Sequence, residues 1–236
     1  MSDEKPLLQI LNRIADLIFL NVLVFVLSLP LVCLILLFFT FLPINVFTVG
    51  FSLLAFFCGS SFIAMHHCLI KMVRNEESYL FKTFFKAYKE NFIKGNILWS
   101  IFLIIFLFLF YDNYLLNVVL SDYYPALMKT VKIIVGSAIV FVYFVFIYAL
   151  PLYARYENSI KQTLKNALVL VIYAFPRSLL MFIIHFIRWA MIYLVPIESI
   201  PFIALFFIAF PAYLCTLIYN PVFEKLEEEF THNNFQ

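Results

Sequence analysis

Arg188, His185 and Asp112 are the residues whose types and positions could do chemistry, because each lies in apolar sequence where an ionisable group is costly. Arg188 stands about ten residues into the apolar run 178–196, which at helical rise is ~15 Å deep. A central Arg costs ~2.5–3.5 kcal/mol on insertion scales, so it should face other helices and find partners there. His185, three residues earlier, shares its helical face, and Asp112, in the outer half of another apolar run, is the expected partner of Arg188. Such a trio reads either as a polar centre for a solute or proton, or as a structural ion pair with Arg188 reaching outward. The paired intramembrane acids of a proton relay are missing from this sequence, which favours the structural reading.

Other reactive residues carry weaker patterns. His66 and His67 are neighbours beside Cys68; on a helix their side chains diverge by about 100°, a poor metal geometry, so they read as interface residues. The four cysteines, Cys33, Cys58, Cys68 and Cys215, have no C-x-x-C spacing and read as packed free thiols. No G-x-S-x-G, H-E-x-x-H or phosphate-cradling glycine loop occurs. With four glycines in the chain, a GxxxG face and a glycine-rich selectivity filter are absent as well. The expectation is therefore a protein that is not an enzyme, with no catalytic, cofactor-binding or metal-ligating residue.

The elements that must hold these residues are six apolar blocks at about 17–39, 46–70, 97–119, 133–154, 178–196 and 200–219. A ~30 Å hydrocarbon core needs ~20 helical residues to cross it. Of 236 residues 65% are hydrophobic and 13% charged, too little polar surface to enclose a water-soluble core. Long continuous runs, rather than alternating ten-residue strands, point to helices. The expected fold is all-α: a single polytopic membrane domain over 1–236, a six-helix transmembrane bundle with two cytoplasmic interfacial amphipathic helices.

A net charge of +2 gives no case for nucleic acid, but its placement orients the chain. Apart from Lys129, Lys132 and Arg188, every Lys and Arg lies near the ends or in the connections after the second and fourth blocks. The positive-inside rule then puts both termini in the cytoplasm. The first block is too long for a cleavable signal, contains Pro30 and lacks a small-residue cleavage site.

Two connections are themselves amphipathic. In 78–94, Phe81, Phe84, Phe85, Tyr88 and Phe92 recur at helical steps opposite Lys82, Lys86 and Lys89. In 158–171, Ile160, Leu164, Ala167, Leu168 and Val171 oppose Lys161 and Lys165. Lipid-facing helices of this kind set lysines against anionic headgroups at ~1 kcal/mol each. The recurrence of span, basic helix, span is compatible with a weak internal duplication. Pro176 should separate the second amphipathic helix from the fifth span, Pro196 and Pro201 should bracket an external turn carrying Glu198, Pro211 should kink the sixth span, and the tail from Glu224 should be a solvated, fraying helix.

Several stretches carry a resemblance. Leu11–Leu17 with Asn21 and Leu29-Pro30, Gly59-Ser60-Ser61, Lys71 to Tyr79, Phe84-Phe85-Lys86, Asn91-Phe92, Lys165-Asn166-Ala167 and Asn220 to Lys225 together resemble the YesL-like bacterial membrane proteins. The family's Thr-hydrophobic-Gly motif departs here: Phe57-Cys58 precede Gly59, the threonine is absent and about two dozen extra apolar residues intervene. The resemblance implies a cytoplasmic-membrane protein of a domain family of unknown function, often associated with carbohydrate ABC importers. The sequence reading is an accessory or scaffold protein touching the bilayer, anionic headgroups and a transporter subunit; the competing reading is a small-solute transporter or channel centred on Arg188.

Overall fold

The computed structural model describes residues 6–40, 55–76, 79–118, 125–156, 158–194 and 207–233, and among them the chain is helical with no strand. The helices are α1 (Pro6–Thr40), α2 (Gly59–Val73), α3 (Leu80–Glu90), α4 (Phe92–Val118), α5 (Pro125–Arg155), α6 (Ile160–Tyr173), α7 (Phe175–Leu194) and α8 (Ala209–Asn233). Three contain segments long and apolar enough to cross a membrane: Leu8–Ser28, Phe92–Leu116 and Lys129–Arg155. The pair α6–α7, bent by 100°, makes a fourth if counted as one span. Large apolar side chains stand exposed on the outer faces of these helices, among them Ile104 and Phe108 on α4 and Phe186 and Ile187 on α7. Such faces are compatible with a membrane-embedded protein.

The expected spans 17–39, 97–119 and 133–154 coincide with α1, α4 and α5, and 178–196 with most of α7. Of 46–70 and 200–219, the portions 46–54 and 200–206 lie outside the described residues, as do Pro196, Glu198 and Pro201. Within 46–70 the helix breaks at a turn on Phe57-Cys58, and α2 starts afresh at Gly59.

α2 is the central post. Its Ile63 and Ile70 join a core with Leu98, Phe102, Tyr148, Leu152, Tyr219 and Phe223, while Ala64, Met65, Cys68 and Leu69 join a second with Leu17, Leu20, Val24, Phe84 and Ala212. A helix apolar on both sides must be buried on both sides. Its contact with α4 is close because two glycines meet there. A Cβ on Gly59 would lie 2.4 Å from the Trp99 Cβ, and one on Gly95 2.6 Å from Ile63 Cδ1.

Two helix starts are completed by side chains from other helices. The Ser60 amide donates to Asn96 Oδ1 at 2.8 Å, and the Ile208 and Ala209 amides donate to Asn21 Oδ1 at 2.9 and 3.1 Å. In apolar surroundings an unpaired amide is expensive, so each asparagine replaces a missing backbone acceptor. α2 ends in a Schellman motif: Asn75 takes φ 55°, its amide bonds the Met72 carbonyl and the Glu76 amide the Lys71 carbonyl.

Three sequence expectations change. Pro211 falls in the first turn of α8, where the missing amide has no intrahelical partner to lose, so it marks a start rather than a kink; prolines inside helices are found instead at Pro30 in α1, Pro151 in α5 and Pro221 in α8. On α6 the buried face is Thr163, Ala167, Leu170 and Val171, with Leu168 exposed. Thr163 can face inward because its hydroxyl donates to the Ser159 carbonyl at 3.1 Å. The tail does not simply fray from Glu224: α8 continues to Asn233, and Glu227 is engaged. Pro176 does sit in the first turn of α7, at the 100° bend.

Candidate functional site

The densest polar feature joins the ends of α2, α5 and α8. Arg74, just past α2, donates from Nη1 and Nη2 to the two oxygens of Glu227 at 2.9 and 3.2 Å and from Nε to Asn220 Oδ1 at 2.8 Å. Arg155, the last residue of α5, donates from Nε and Nη2 to the same carboxylate at 3.0 and 3.3 Å, and the Tyr156 hydroxyl adds a third donor at 2.8 Å. Glu224, accepting from Asn220 Nδ2 at 2.9 Å, and Glu76, 4.0 Å from Arg155 Nη1, complete the group. Burial alone would raise the Glu227 carboxyl, but hydrogen bonds from Arg74, Arg155 and Tyr156 outweigh it and hold it at about 2. Burial and the bond to Glu227 push the Tyr156 phenol up, so it keeps its proton and remains a donor.

Arg13 of α1 ties in beside this junction, donating to Tyr213 OH at 3.0 Å and to Asn75 Oδ1 at 2.5 Å. The left-handed turn at Asn75 thus presents the acceptor that fastens α1 to α2. The junction is a clamp: its donors and acceptors are spent on one another.

Deeper along α8, Cys215, Thr216 and Tyr219 form a thin polar row. His185 Nε2 lies 3.5 Å from Cys215 Sγ, Thr216 Oγ1 is 2.9 Å from Tyr219 OH, and His66 Nδ1 is 3.4 Å from the same hydroxyl. The neighbouring histidines diverge: His67 Nδ1 lies 3.0 Å from the Ala154 carbonyl, which can only accept, so that nitrogen carries the proton. Among the described residues no group of three His, Cys, Asp or Glu side chains is placed to hold a metal.

Arg188 is brought together with His185 but not with Asp112. Its guanidinium lies 4.9 Å from the Trp189 ring centroid and 5.2 Å from that of Phe207, and no ion pair joins it to Asp112. The physical reason is packing: α4, which carries Asp112, lies along α2 and α5, while α7 lies along α8, α6 and α5. The cation meets π faces instead of a carboxylate, an attraction of ~2 kcal/mol when desolvated. His185 Nδ1 and Arg188 Nε are buried with no hydrogen-bond partner.

The candidate lysines separate into two kinds. Lys82 and Lys86 of α3 face Lys71 and His67 of α2 across a cavity of about 340 Å³, with Thr83 and Glu90 in its wall. Lys89, Lys161 and Lys165 are exposed and stand outside the lining of this cavity. Sequence reasoning missed His67, Lys71 and Thr83 as partners of Lys82. The signal available was the pairing of His67 with Lys71 at one helical turn, next to a second i,i+4 pair on the following helix.

Residues 17–113 match the family model described as Protein of unknown function, DUF624. No curated protein and no solved structure matches the chain. The matched stretch contains both sides of the α2–α4 contact, with Gly59, Ser60, Gly95 and Asn96, together with Asn21 and Arg74, and ends before Arg155, Arg188 and Glu227.

Proposed function

We propose that this chain is a YesL-like multi-pass protein of the bacterial cytoplasmic membrane, one integral domain of six spans with both termini inside, and that it works without catalysis as an accessory scaffold. The observation that carries this reading is the clamp of Arg74, Arg155, Tyr156 and Glu227. It locks the ends of α2, α5 and α8 into a fixed platform on the side of the bundle where the lysines collect. A platform presents helices; α3 and α6 are the interfacial ones, resting Phe84 and Ala87, or Thr163 and Ala167, on the bundle while their lysines meet headgroups. Exposed Tyr79 and Phe81 at the start of α3 supply apolar surface for a neighbour within the membrane. A membrane subunit of a carbohydrate importer fits that surface.

The test has two arms. Introduced cysteines near Asn45, Asp122 and Glu198 should react with an outside-only reagent in intact cells, and labelling of any of them only after permeabilisation would sink the topology. A photo-crosslinker at Phe81 should capture an importer subunit; capture of lipid alone would remove the partner from the proposal.

One observation favours a second reading. His185 Nδ1 and Arg188 Nε, buried and unpartnered, are the groups that a small anionic solute would satisfy. Reconstituted vesicles discriminate: flux of a solute that Arg188→Leu abolishes without unfolding supports transport, and absence of flux beside intact partner capture supports the scaffold.

A further inference from the structure

The cavity between α2 and α3 carries an uncompensated positive charge, and its chemistry is that of an oxyanion receptor. α2 contributes His67 and Lys71, one helical turn apart, and α3 contributes Lys82, Thr83 and Lys86 from the facing wall. Only Lys86 is compensated, by Glu90 at 3.9 Å, and both of these side chains are largely solvent-exposed. Among the described residues neither Lys71 nor Lys82 has a carboxylate partner. His67 has committed Nδ1 to the Ala154 carbonyl, which fixes its ring and leaves Nε2 as its remaining polar atom. Two free ammonium groups, a hydroxyl and an anchored imidazole converge, with one carboxylate at the edge already paired.

The geometry points to a site for a phosphate group in the cavity between α2 and α3, held by Lys71 and Lys82 from opposite walls with Thr83 and Lys86 beside them. At about 340 Å³ the space exceeds a phosphate and admits a glycerol-sized substituent, the headgroup dimension of an anionic phospholipid. Its position agrees with that source: Lys71 follows the apolar stretch of α2 directly, and Phe81, adjacent to Lys82, is 58% exposed. A lipid whose phosphate entered the cavity would lay its chains beside that ring. The placement at headgroup depth rests on the membrane reading proposed above; the oxyanion chemistry does not.

The test uses the full chain in nanodiscs of neutral phosphatidylcholine, with and without phosphatidylglycerol, and native mass spectrometry to count phosphatidylglycerol molecules retained. Lys71→Gln and Lys82→Gln should each weaken retention roughly fivefold, Lys71→Arg should preserve it, and the charge-matched change Lys129→Gln, at an exposed lysine of α5, should leave it unchanged. Inorganic phosphate is the second probe, read by protection of Lys71 and Lys82 from an amine-reactive reagent in neutral discs. Protection by phosphate as well as retained lipid assigns the site to phosphate in either form; retained lipid without protection assigns it to the lipid headgroup. The proposal is overturned if neither probe binds, or if Lys129→Gln lowers retention as much as the cavity variants do, since net charge alone would then explain binding. Thermal midpoints identify folded variants, and because Lys82 is exposed, Lys82→Gln carries the test should Lys71→Gln unfold. Failure of the cysteine-labelling topology would withdraw the six-span orientation while leaving phosphate protection intact, so the two conclusions fail separately.

Discussion

Replacing Glu227 by Gln removes the charge that two guanidiniums and a phenol share. The carboxylate accepts five hydrogen bonds between 2.8 and 3.3 Å from Arg74, Arg155 and Tyr156. Side-chain exposure is 10% for Arg74, 29% for Arg155 and 31% for Glu227, which places the group between a surface pair worth ~0–1 kcal/mol and a buried one whose breakage costs ~3–5 kcal/mol. The expected loss is about 2–3 kcal/mol, a fall of roughly 4–10 °C in Tm for a chain of this size. The pH dependence gives the discriminating signature. With Glu227 held at about 2 against an ordinary value of 4.5, its contribution is complete above the ordinary value and lost as pH falls through that interval. The gap between parent and Glu227→Gln should therefore be widest near neutrality and close between pH 4.5 and 2, measured as Tm in nanodiscs by intrinsic fluorescence. A Tm within about 2 °C of the parent at neutral pH, with parallel curves on the acid side, would refute the clamp as a stabilising element.

Three further outcomes follow from packing. Asn21→Ala strips the acceptor from the Ile208 and Ala209 amides and should cost about 1–3 kcal/mol, seen as faster hydrogen exchange at the start of α8; unchanged exchange would contradict the cap. Gly59→Ala forces a methyl to within 2.4 Å of Trp99 Cβ and should destabilise by about 1–3 kcal/mol, whereas Gly136→Ala, which meets nothing within 4 Å, should not lower Tm. Arg188→Leu and Asp112→Leu should give additive stability changes to within about 0.5 kcal/mol, because no pair joins them; a larger coupling in the double variant would restore the ion pair.

What was legible in the sequence follows from range. Long apolar runs and three-to-four periodicity are local signals, so α1, α4, α5 and the two short basic helices could be read from composition and spacing. The helical setting of Arg188 was legible for the same reason, but its neighbour was not: position along a helix says nothing about which helix lies alongside, and α7 packs on α8 rather than α4. Glu227 was hidden because it stands in a run of acidic residues indistinguishable from a solvated tail, and only the arrival of Arg74 and Arg155 gives it a role. Leu168 stands exposed and Thr163 is buried, since hydropathy ranks a threonine as polar without knowing that its hydroxyl is satisfied by its own helix. Asn21 and Asn96 are structural through contacts 187 and 36 residues distant, a range that no local pattern reports.

Those two asparagines also set a schedule for biogenesis. The Ser60 amide must wait for Asn96, which leaves the ribosome 36 residues later, so α2 cannot be completed until α4 has begun to arrive. Asn21 is made 187 residues ahead of the Ile208 amide it meets, so that acceptor waits for α8. Buried in the finished fold, these groups have no water to fall back on, and a chain stalled between these events holds an unmet donor or acceptor at each site. Folding therefore cannot proceed as a series of independently finished helices: α1 is held open for α8, and α2 for α4.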